Sequence, residues 1–194
     1  GRRAEDLARL ETAFGPAAPA MQRYFARWYG EEVAVLSDAD DLPAKTTYRV
    51  KNTLNLQALI DAYGDLDEAV RLTDNHPAER VRVDQFRMYA HYLLLRYKLQ
   101  LATEGGDNAA VMQAIEEETR FGGRIAATNM IHTRPLVGKA FLRRFRSYEK
   151  LLADQPAAAQ SGKGWRQIGN PPDEEELRRI WREDLDCLNR VSKR

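Results

Sequence analysis

Three histidines are the first side chains in this sequence that could bind a metal or transfer protons. A di-iron carboxylate bundle needs a glutamate three residues before a histidine, and that position holds Thr73, Met88 and Asn129 instead. No two histidines are four residues apart, which is the spacing that binds zinc from one helical face. The sequence therefore predicts no metal site, and we expect no cofactor.

A run of carboxylates at Glu116, Glu117 and Glu118 could supply an acid and a base, or ligands for a divalent cation. Consecutive residues of a helix point about 100° apart, so these side chains cannot converge on one site from their own helix. We expect a solvated acidic face here. Glycine-rich phosphate loops and the nucleophile elbow of hydrolases are also missing. The sequence identifies no catalytic residue and favours a non-enzymatic protein, with an enzyme of unfamiliar type as an alternative.

A basic amphipathic pattern is the clearest positive feature. Four cations in the segment 136–153 follow one another at spacings of four, three and four, which lines them along one face of a helix. Aromatic and leucine side chains occupy another face of the same predicted helix. We call these four cations, Lys139, Arg143, Arg146 and Lys150, the basic stripe. Together with Arg134, just upstream, the basic stripe is the predicted partner-binding surface.

The basic stripe has three interpretations. It binds phosphates of nucleic acid or of anionic lipid, or it docks an acidic protein. Alternatively, the last helix neutralises it, because that helix begins with four acidic residues at 173–176 and carries Glu183, Asp184 and Asp186. A net charge of +1 is what self-paired surfaces produce. Only Tyr148 interleaves an aromatic ring with the cations, so we expect a protein partner ahead of nucleic acid or lipid.

A second functional hypothesis comes from polar groups on one long predicted helix. Small-molecule pockets between the helices of a bundle are usually lined by apolar side chains with a few guanidinium, imidazole or hydroxyl groups. The residues of this predicted pocket are Arg87, Tyr89, His91, Tyr92 and Tyr97. They would make the chain a ligand-binding or sensor domain. A half-buried core histidine and tyrosine hydroxyls bonded to nearby backbone would account for the same residues.

Helices must position all of these groups. Nowhere do β-branched and aromatic residues alternate over five or more positions, so the sequence predicts an all-α fold. The segment 77–103 carries two apolar stripes, which predicts a long central helix surrounded by an irregular bundle. The first stripe is Phe86, Tyr89, Leu93 and Tyr97, and the second is Met88, Tyr92, Leu95 and Leu99.

Start and stop signals set the remaining helix boundaries. Asp65 with Glu68 resembles a capping box after Gly64, so we predict that one helix ends and another begins there. Gly122 is likewise predicted to end a helix. The expected helices are 3–14, 17–29, 44–63, 65–73, 77–103, 107–121, 124–133, 136–153 and 173–190.

Length and composition set the predicted domain organisation. The chain has 194 residues, 43% of them hydrophobic and 30% charged, as expected for a globular protein. We predict a bundle over 1–153, a linker over 154–172 that is rich in Pro, Ala, Gly, Ser and Gln, and a C-terminal helix over 173–194 packed on the same domain. The single cysteine excludes a disulfide framework. We expect a cytoplasmic protein, or the soluble part of an anchored or exported one, of undetermined oligomeric state.

The missing ligand motifs predict that protein purified without chelator contains no stoichiometric zinc or iron. Elemental analysis of the purified protein by mass spectrometry measures this directly. A content of about one ion per chain would contradict the prediction. Substitution of His91 and His132 would then identify the ligands.

Overall fold

The structure, a computed structural model, describes residues 2–29, 56–126, 128 and 170–192. Its helices are α1 (Arg2–Phe14), α2 (Ala18–Tyr29), α3 (Leu56–Leu72), α4 (Pro77–Gly105), α5 (Asn108–Ala126) and α6 (Glu174–Val191), with a 3₁₀ turn (Gly15–Ala17) between α1 and α2. The described part of the chain contains no strand, which confirms the predicted all-α fold.

The chain divides into two compact units. The first comprises Gly1–Ala90 with Ile180–Arg194, and the second comprises His91–Arg179. The longest described helix, α4, has 29 residues and contributes to the core of each unit, as predicted for the central helix. The basic stripe, Arg134 and most of the predicted linker lie outside the described residues.

Local capping signals set the ends of three helices where the sequence predicts them. α4 ends at Gly105, and Gly106 turns the chain with a φ of 71° that favours glycine. Asp107 Oδ1 then accepts hydrogen bonds from the first backbone N–H groups of α5, at 2.9 and 3.2 Å. Asp173 caps α6 in the same way, accepting from the N–H of Glu176 at 2.8 Å.

The predicted helix break at Gly64 is wrong, because α3 runs unbroken through it. Instead of capping a helix, the buried Asp65 side chain accepts hydrogen bonds from Arg23 and Arg27 of α2. A continuous apolar stripe holds α3 against its neighbours on both sides of the glycine. Its buried hydrophobic members are Leu59, Ala62, Tyr63, Leu66 and Ala69.

The predicted end of a helix at Gly122 is also wrong, since α5 continues to Ala126. Gly122 is buried, and a Cβ there would lie 3.3 Å from Cε2 of Tyr92. The glycine therefore serves close packing between α5 and α4. The predicted separate helix at 124–133 begins inside α5, and its later residues fall largely outside the described chain.

An aromatic cluster forms the core of the first unit between α1, α2 and α4. Phe86 contacts three rings edge-on, with centroids 5.8 Å from Phe14, 5.6 Å from Tyr24 and 5.1 Å from Phe25. Edge-on pairs at these separations are favourable beyond the area they bury. They fix α1 and α2 against the first half of α4.

The two predicted apolar stripes of α4 are buried to different extents. Every member of the second stripe is buried. In the first stripe, Leu93 and Tyr97 are buried, whereas Phe86 and Tyr89 are half-buried. In the second unit, Leu99 packs with Ala114 and Ile115 of α5. Because α4 packs against other apolar side chains on two faces, its apolar residues are not confined to a single side of the helix.

Replacing Leu93 by alanine should lower the free energy of unfolding by about 2–5 kcal/mol, because it removes apolar contact and leaves a cavity. Leu101 lies on the same helix but is 40% exposed, so Leu101→Ala should change stability by no more than about 0.5 kcal/mol. Urea unfolding followed by circular dichroism measures both. Equal losses in the two variants would contradict the central position of Leu93.

Candidate functional site

A group of aromatic and charged side chains in the first unit surrounds Trp181 of α6. The indole is 4% exposed and stacks on Tyr63 of α3, with ring centroids 4.3 Å apart and an interplanar angle of 14°. The guanidinium carbon of Arg87 of α4 lies 4.8 Å from the centroid of the Trp181 ring. We call this group the Trp181 cluster; its members are Tyr63, Asp67, Asp84, Arg87, Trp181 and Asp184.

Two hydrogen bonds connect α6 to α3 within the Trp181 cluster. The hydroxyl of Tyr63 donates to Asp184 Oδ2 at 2.7 Å, and both residues are buried. The indole N–H of Trp181 donates to Asp67 Oδ1 at 3.3 Å. Burial, reinforced by the Asp184 carboxylate, raises the pKa of Tyr63 well above its ordinary value. Tyr63 therefore remains a protonated donor at neutral pH.

Arg87 is a buried cation at the base of the Trp181 cluster, with 2% of its surface exposed. Its Nη1 donates to Asp84 Oδ1 at 2.9 Å, and the same oxygen accepts from Arg80 Nε at 3.1 Å. Burial lowers the pKa of Arg87, and the hydrogen bond to Asp84 opposes that shift. Among the described residues, Arg87 Nε has no hydrogen-bond partner. An arginine stays charged in such a site, so its burial costs free energy that the contacts with Trp181 and Asp84 must offset.

The Trp181 cluster is held together by hydrogen bonds and ring contacts between helices. Its carboxylates accept hydrogen bonds from Tyr63, Trp181 and Arg87. Within the described ranges, no group of three or more His, Cys, Asp or Glu side chains could hold a metal ion. Tryptophan, tyrosine and arginine are the residue types that dominate binding energy at protein interfaces. In this fold, these residue types join α3, α4 and α6 of the chain itself.

The second unit contains a buried carboxylate that was predicted to lie on a solvated face. That prediction is wrong for Glu118, which is 6% exposed and accepts a hydrogen bond from the Tyr92 hydroxyl at 3.1 Å. Arg96 Nε lies 3.6 Å from the same carboxylate oxygen. Because neighbouring residues point about 100° apart, Glu118 shares the buried face of α5 while Glu117 is exposed.

A bidentate ion pair ties the first turn of α6 to α5. Arg124 Nη1 and Nη2 each donate to one oxygen of Glu176 at 2.6 Å, and Arg124 Nε donates to the carbonyl oxygen of Asn170 at 2.9 Å. The hydrogen bonds from Arg124 hold the pKa of Glu176 below its ordinary value. Those to Glu176 raise the pKa of Arg124. Parallel bonds of this kind are strong and geometrically specific.

The predicted pocket residues are divided between the two units. Arg87 joins the Trp181 cluster and Tyr89 is half-buried in the first unit, whereas the other residues belong to the second. There, Tyr92 binds Glu118, Tyr97 is buried, and the half-buried His91 meets the ring of Phe121 edge-on at 4.5 Å.

Two grooves of about 400 and 380 Å³ lie along α1, and none of the predicted pocket residues lines either one. Trp181 was not among the site residues predicted from the sequence. The available signal was its position three residues before Asp184 on one face of a strongly amphipathic helix.

No family model, curated protein sequence or solved structure matches this chain. None of the helices in the described ranges is both long and apolar enough to cross a membrane. The side chains of the chain itself are therefore the basis for proposing a function.

Replacing Tyr63 by phenylalanine should lower the free energy of unfolding at pH 7 by about 1–3 kcal/mol, because the buried Asp184 carboxylate loses a donor. Because folding raises the pKa of Tyr63, its contribution to stability is fully present below the ordinary tyrosine pKa of 10.0. That contribution is lost as the pH rises above 10.0. Urea unfolding between pH 8 and about pH 11 should therefore show a steeper decline for the wild-type chain than for Tyr63→Phe. Parallel pH profiles would contradict the prediction.

The pair of Arg124 and Glu176 should show a coupling free energy of about 0.5–1 kcal/mol in a double-mutant cycle with alanine at both positions. Because the pKa of Glu176 is lowered by folding, this stabilisation is present above pH 4.5 and is lost as pH falls further. The exposed pair of Glu174 and Arg178 is the control, with an expected coupling of no more than about 0.5 kcal/mol. Coupling that is equal in both pairs, or unchanged at pH 3, would show that the bidentate pair contributes nothing specific.

Proposed function

We propose that this chain is a non-enzymatic helical interaction domain that binds an acidic protein surface through the basic stripe. The local excess of positive charge supports this function. Residues 129–169 contain eight basic and two acidic side chains, although the whole chain carries a net charge of only +1. Such an excess attracts an acidic partner and accelerates its association.

The observation that carries the proposal is the use of acidic residues on and just before α6. These are the groups that could neutralise the basic stripe from within the chain. Four of the seven acidic residues at 173–190 already have other partners in the described structure. Asp173 caps α6, Glu174 pairs with Arg178, Glu176 pairs with Arg124, and Asp184 accepts from Tyr63. Fewer acidic side chains of α6 are therefore left to neutralise the basic stripe.

The residue types favour a protein partner over nucleic acid. Twenty-three of the thirty basic residues of the chain are arginines, and the planar guanidinium binds carboxylates in bidentate geometry. Binding of single-stranded nucleic acid uses several aromatic rings among the cations. The basic stripe has only Tyr148 beside it.

Buried charges in the described part of the chain support a non-enzymatic function. Asp65, Arg87, Glu118 and Asp184 each make hydrogen bonds or ion pairs that join one helix to another or strengthen one helix. A general acid or base has to reach a substrate as well as its own structural partners. Here the buried titratable groups are used to position helices.

Reversing two charges in the basic stripe tests the proposal. Arg143→Glu combined with Arg146→Glu should reduce binding of an oligo-glutamate peptide at least about tenfold, because each change replaces attraction by repulsion. Thermal stability should change little, since exposed charges contribute under about 0.5 kcal/mol each. Arg9→Glu combined with Arg71→Glu, both at exposed positions, gives the same change in net charge and should keep the binding. Fluorescence anisotropy at 50 and at 200 mM salt measures binding by the wild-type chain and by the two double variants.

Three results would overturn the proposal. Equal binding by the two double variants would show that the basic stripe is not the contact surface. Binding of a DNA oligonucleotide or of anionic vesicles, without binding of the peptide, would assign another class of partner. Destabilisation of the stripe variant by more than about 1 kcal/mol would show that the stripe is paired within the fold.

A further inference from the structure

We propose that Thr12 of α1 is a phosphorylation site, and that its phosphate binds Arg9 of α1 and Arg82 of α4. A protein kinase would transfer the γ-phosphoryl group of a nucleoside triphosphate to the hydroxyl oxygen. The bond between Oγ1 and phosphorus forms, the bond from phosphorus to the bridging oxygen of the departing diphosphate breaks, and a base of the kinase takes the hydroxyl proton. All three residues belong to the first unit, and the inference is independent of the basic stripe.

The groove of about 400 Å³ beside α1 brings a hydroxyl together with two cations. The described residues that line it are Ala8, Arg9, Thr12, Ala13 and Arg82, and none of them is acidic. The Thr12 side chain is exposed, and its Oγ1 donates to the carbonyl oxygen of Ala8 at 2.8 Å. A phosphate on Thr12 would therefore enter an open groove whose charged lining side chains are arginines.

Both arginines have N–H donors available for a phosphate. Arg82 Nη1 donates to the carbonyl oxygen of Ala13 at 2.8 Å, which holds the guanidinium at the groove. Within the described ranges, neither Arg82 nor Arg9 forms an ion pair with a carboxylate. Other arginines of the first unit, such as Arg23 and Arg80, do pair with aspartates. The planar guanidinium forms strong, charge-assisted hydrogen bonds with phosphate oxygens.

The two arginines flank the hydroxyl from two different helices. Arg9 lies three residues before Thr12, and residues at this spacing are neighbours on the surface of a helix. Arg82 comes from α4 and reaches the end of α1. A phosphate placed opposite arginines forms new charge-assisted hydrogen bonds. Phosphorylation of Thr12 would therefore join α1 to α4 through one shared anion.

The main electrostatic cost of this phosphate comes from the end of α1. Thr12 lies in the last turn of the helix, where free carbonyl groups act as a negative charge of about half an elementary unit. A phosphate there is disfavoured when nothing compensates that charge. Arg82 already binds one of these carbonyl groups, and Arg9 adds a second full positive charge. Two full cations outweigh the partial charge of the helix end.

Thr103 of α4 is the matched control for Thr12. It is exposed, lies in the last turn of its helix, and donates from Oγ1 to the carbonyl oxygen of Leu99 at 2.8 Å, four residues back as at Thr12. Gln100 stands three residues before it, where Arg9 stands before Thr12. The two threonines therefore share a local backbone setting and differ in the arginine one turn earlier.

Phosphothreonine incorporated at position 12 of the full-length chain tests the binding of the phosphate, by titration followed with phosphorus NMR. Nearby cations favour the doubly charged phosphate, so its second pKa should lie at least about 0.5 below that of phosphothreonine at position 103. Arg9→Gln combined with Arg82→Gln should remove this difference, and Arg9→Gln alone, which keeps the hydrogen bond of Arg82, should remove part of it. Arg71→Gln, at an exposed position of α3, should leave it unchanged. Equal pKa values at the two positions, or a difference that survives the double substitution, would overturn the inference.

Incubation of the unmodified full-length chain with a basophilic protein kinase and Mg-ATP tests the modification itself. Mass spectrometry should locate phosphate on Thr12 and none on Thr103, because only Thr12 has an arginine one turn before it. A peptide of residues 5–16 is used to choose a kinase that accepts this sequence. If that kinase leaves Thr12 of the folded chain unmodified, or modifies both threonines equally, Thr12 is not the selective site that the groove implies.

Discussion

The packing of Trp181 on Tyr63 and Arg87 is the interaction on which the first unit depends. One indole joins three helices, because α6 supplies the ring, α3 the stacked tyrosine and α4 the guanidinium. The hydrogen bond between Tyr63 and Asp184 then fixes the rotation of α6, since the carboxylate must share a face with the indole. A shift of α6 by one residue would turn both groups by about 100° and leave the Tyr63 hydroxyl buried without its acceptor. The constraint therefore selects one register for the C-terminal helix.

Buried charges specify helix pairing throughout the described structure. Asp65 forms ion pairs with Arg23 and Arg27 across the contact between α2 and α3. Glu118 accepts a hydrogen bond from Tyr92 and forms an ion pair with Arg96, both across the contact between α4 and α5. Ion pairs of this kind add little net stability, because desolvation offsets most of the attraction. A wrong pairing, in contrast, would leave a buried charge uncompensated and cost about 3–5 kcal/mol. We expect these residues to act mainly by making alternative arrangements of the helices unfavourable.

The sequence predicted features that depend on neighbouring residues and missed those that depend on distant ones. The caps at Asp107 and Asp173 act over two or three positions, so the ends of α4, α5 and α6 could be predicted. Gly64 and Gly122 carry the same local signals as helix ends, yet helices continue through both. At Gly122 the reason is Tyr92, which packs against it from another helix. Likewise, Tyr63 and Asp184 are 121 residues apart, and no local pattern connects them. From the sequence, Asp184 was considered only as a charge that could neutralise the basic stripe, so neither its burial nor its contact with Tyr63 was predicted.

The near-zero net charge of the chain does not imply that opposite charges are paired evenly along it. A net charge of +1 is compatible with a surface in which opposite charges pair everywhere. Yet Asp65, Asp84, Glu118, Asp184 and Glu176 make their contacts inside the two units, so they do little to screen cations elsewhere. The eight basic side chains of 129–169 are accompanied by only two acidic ones in that segment. A near-zero total charge is therefore consistent with a local excess of positive charge in the sequence of this segment.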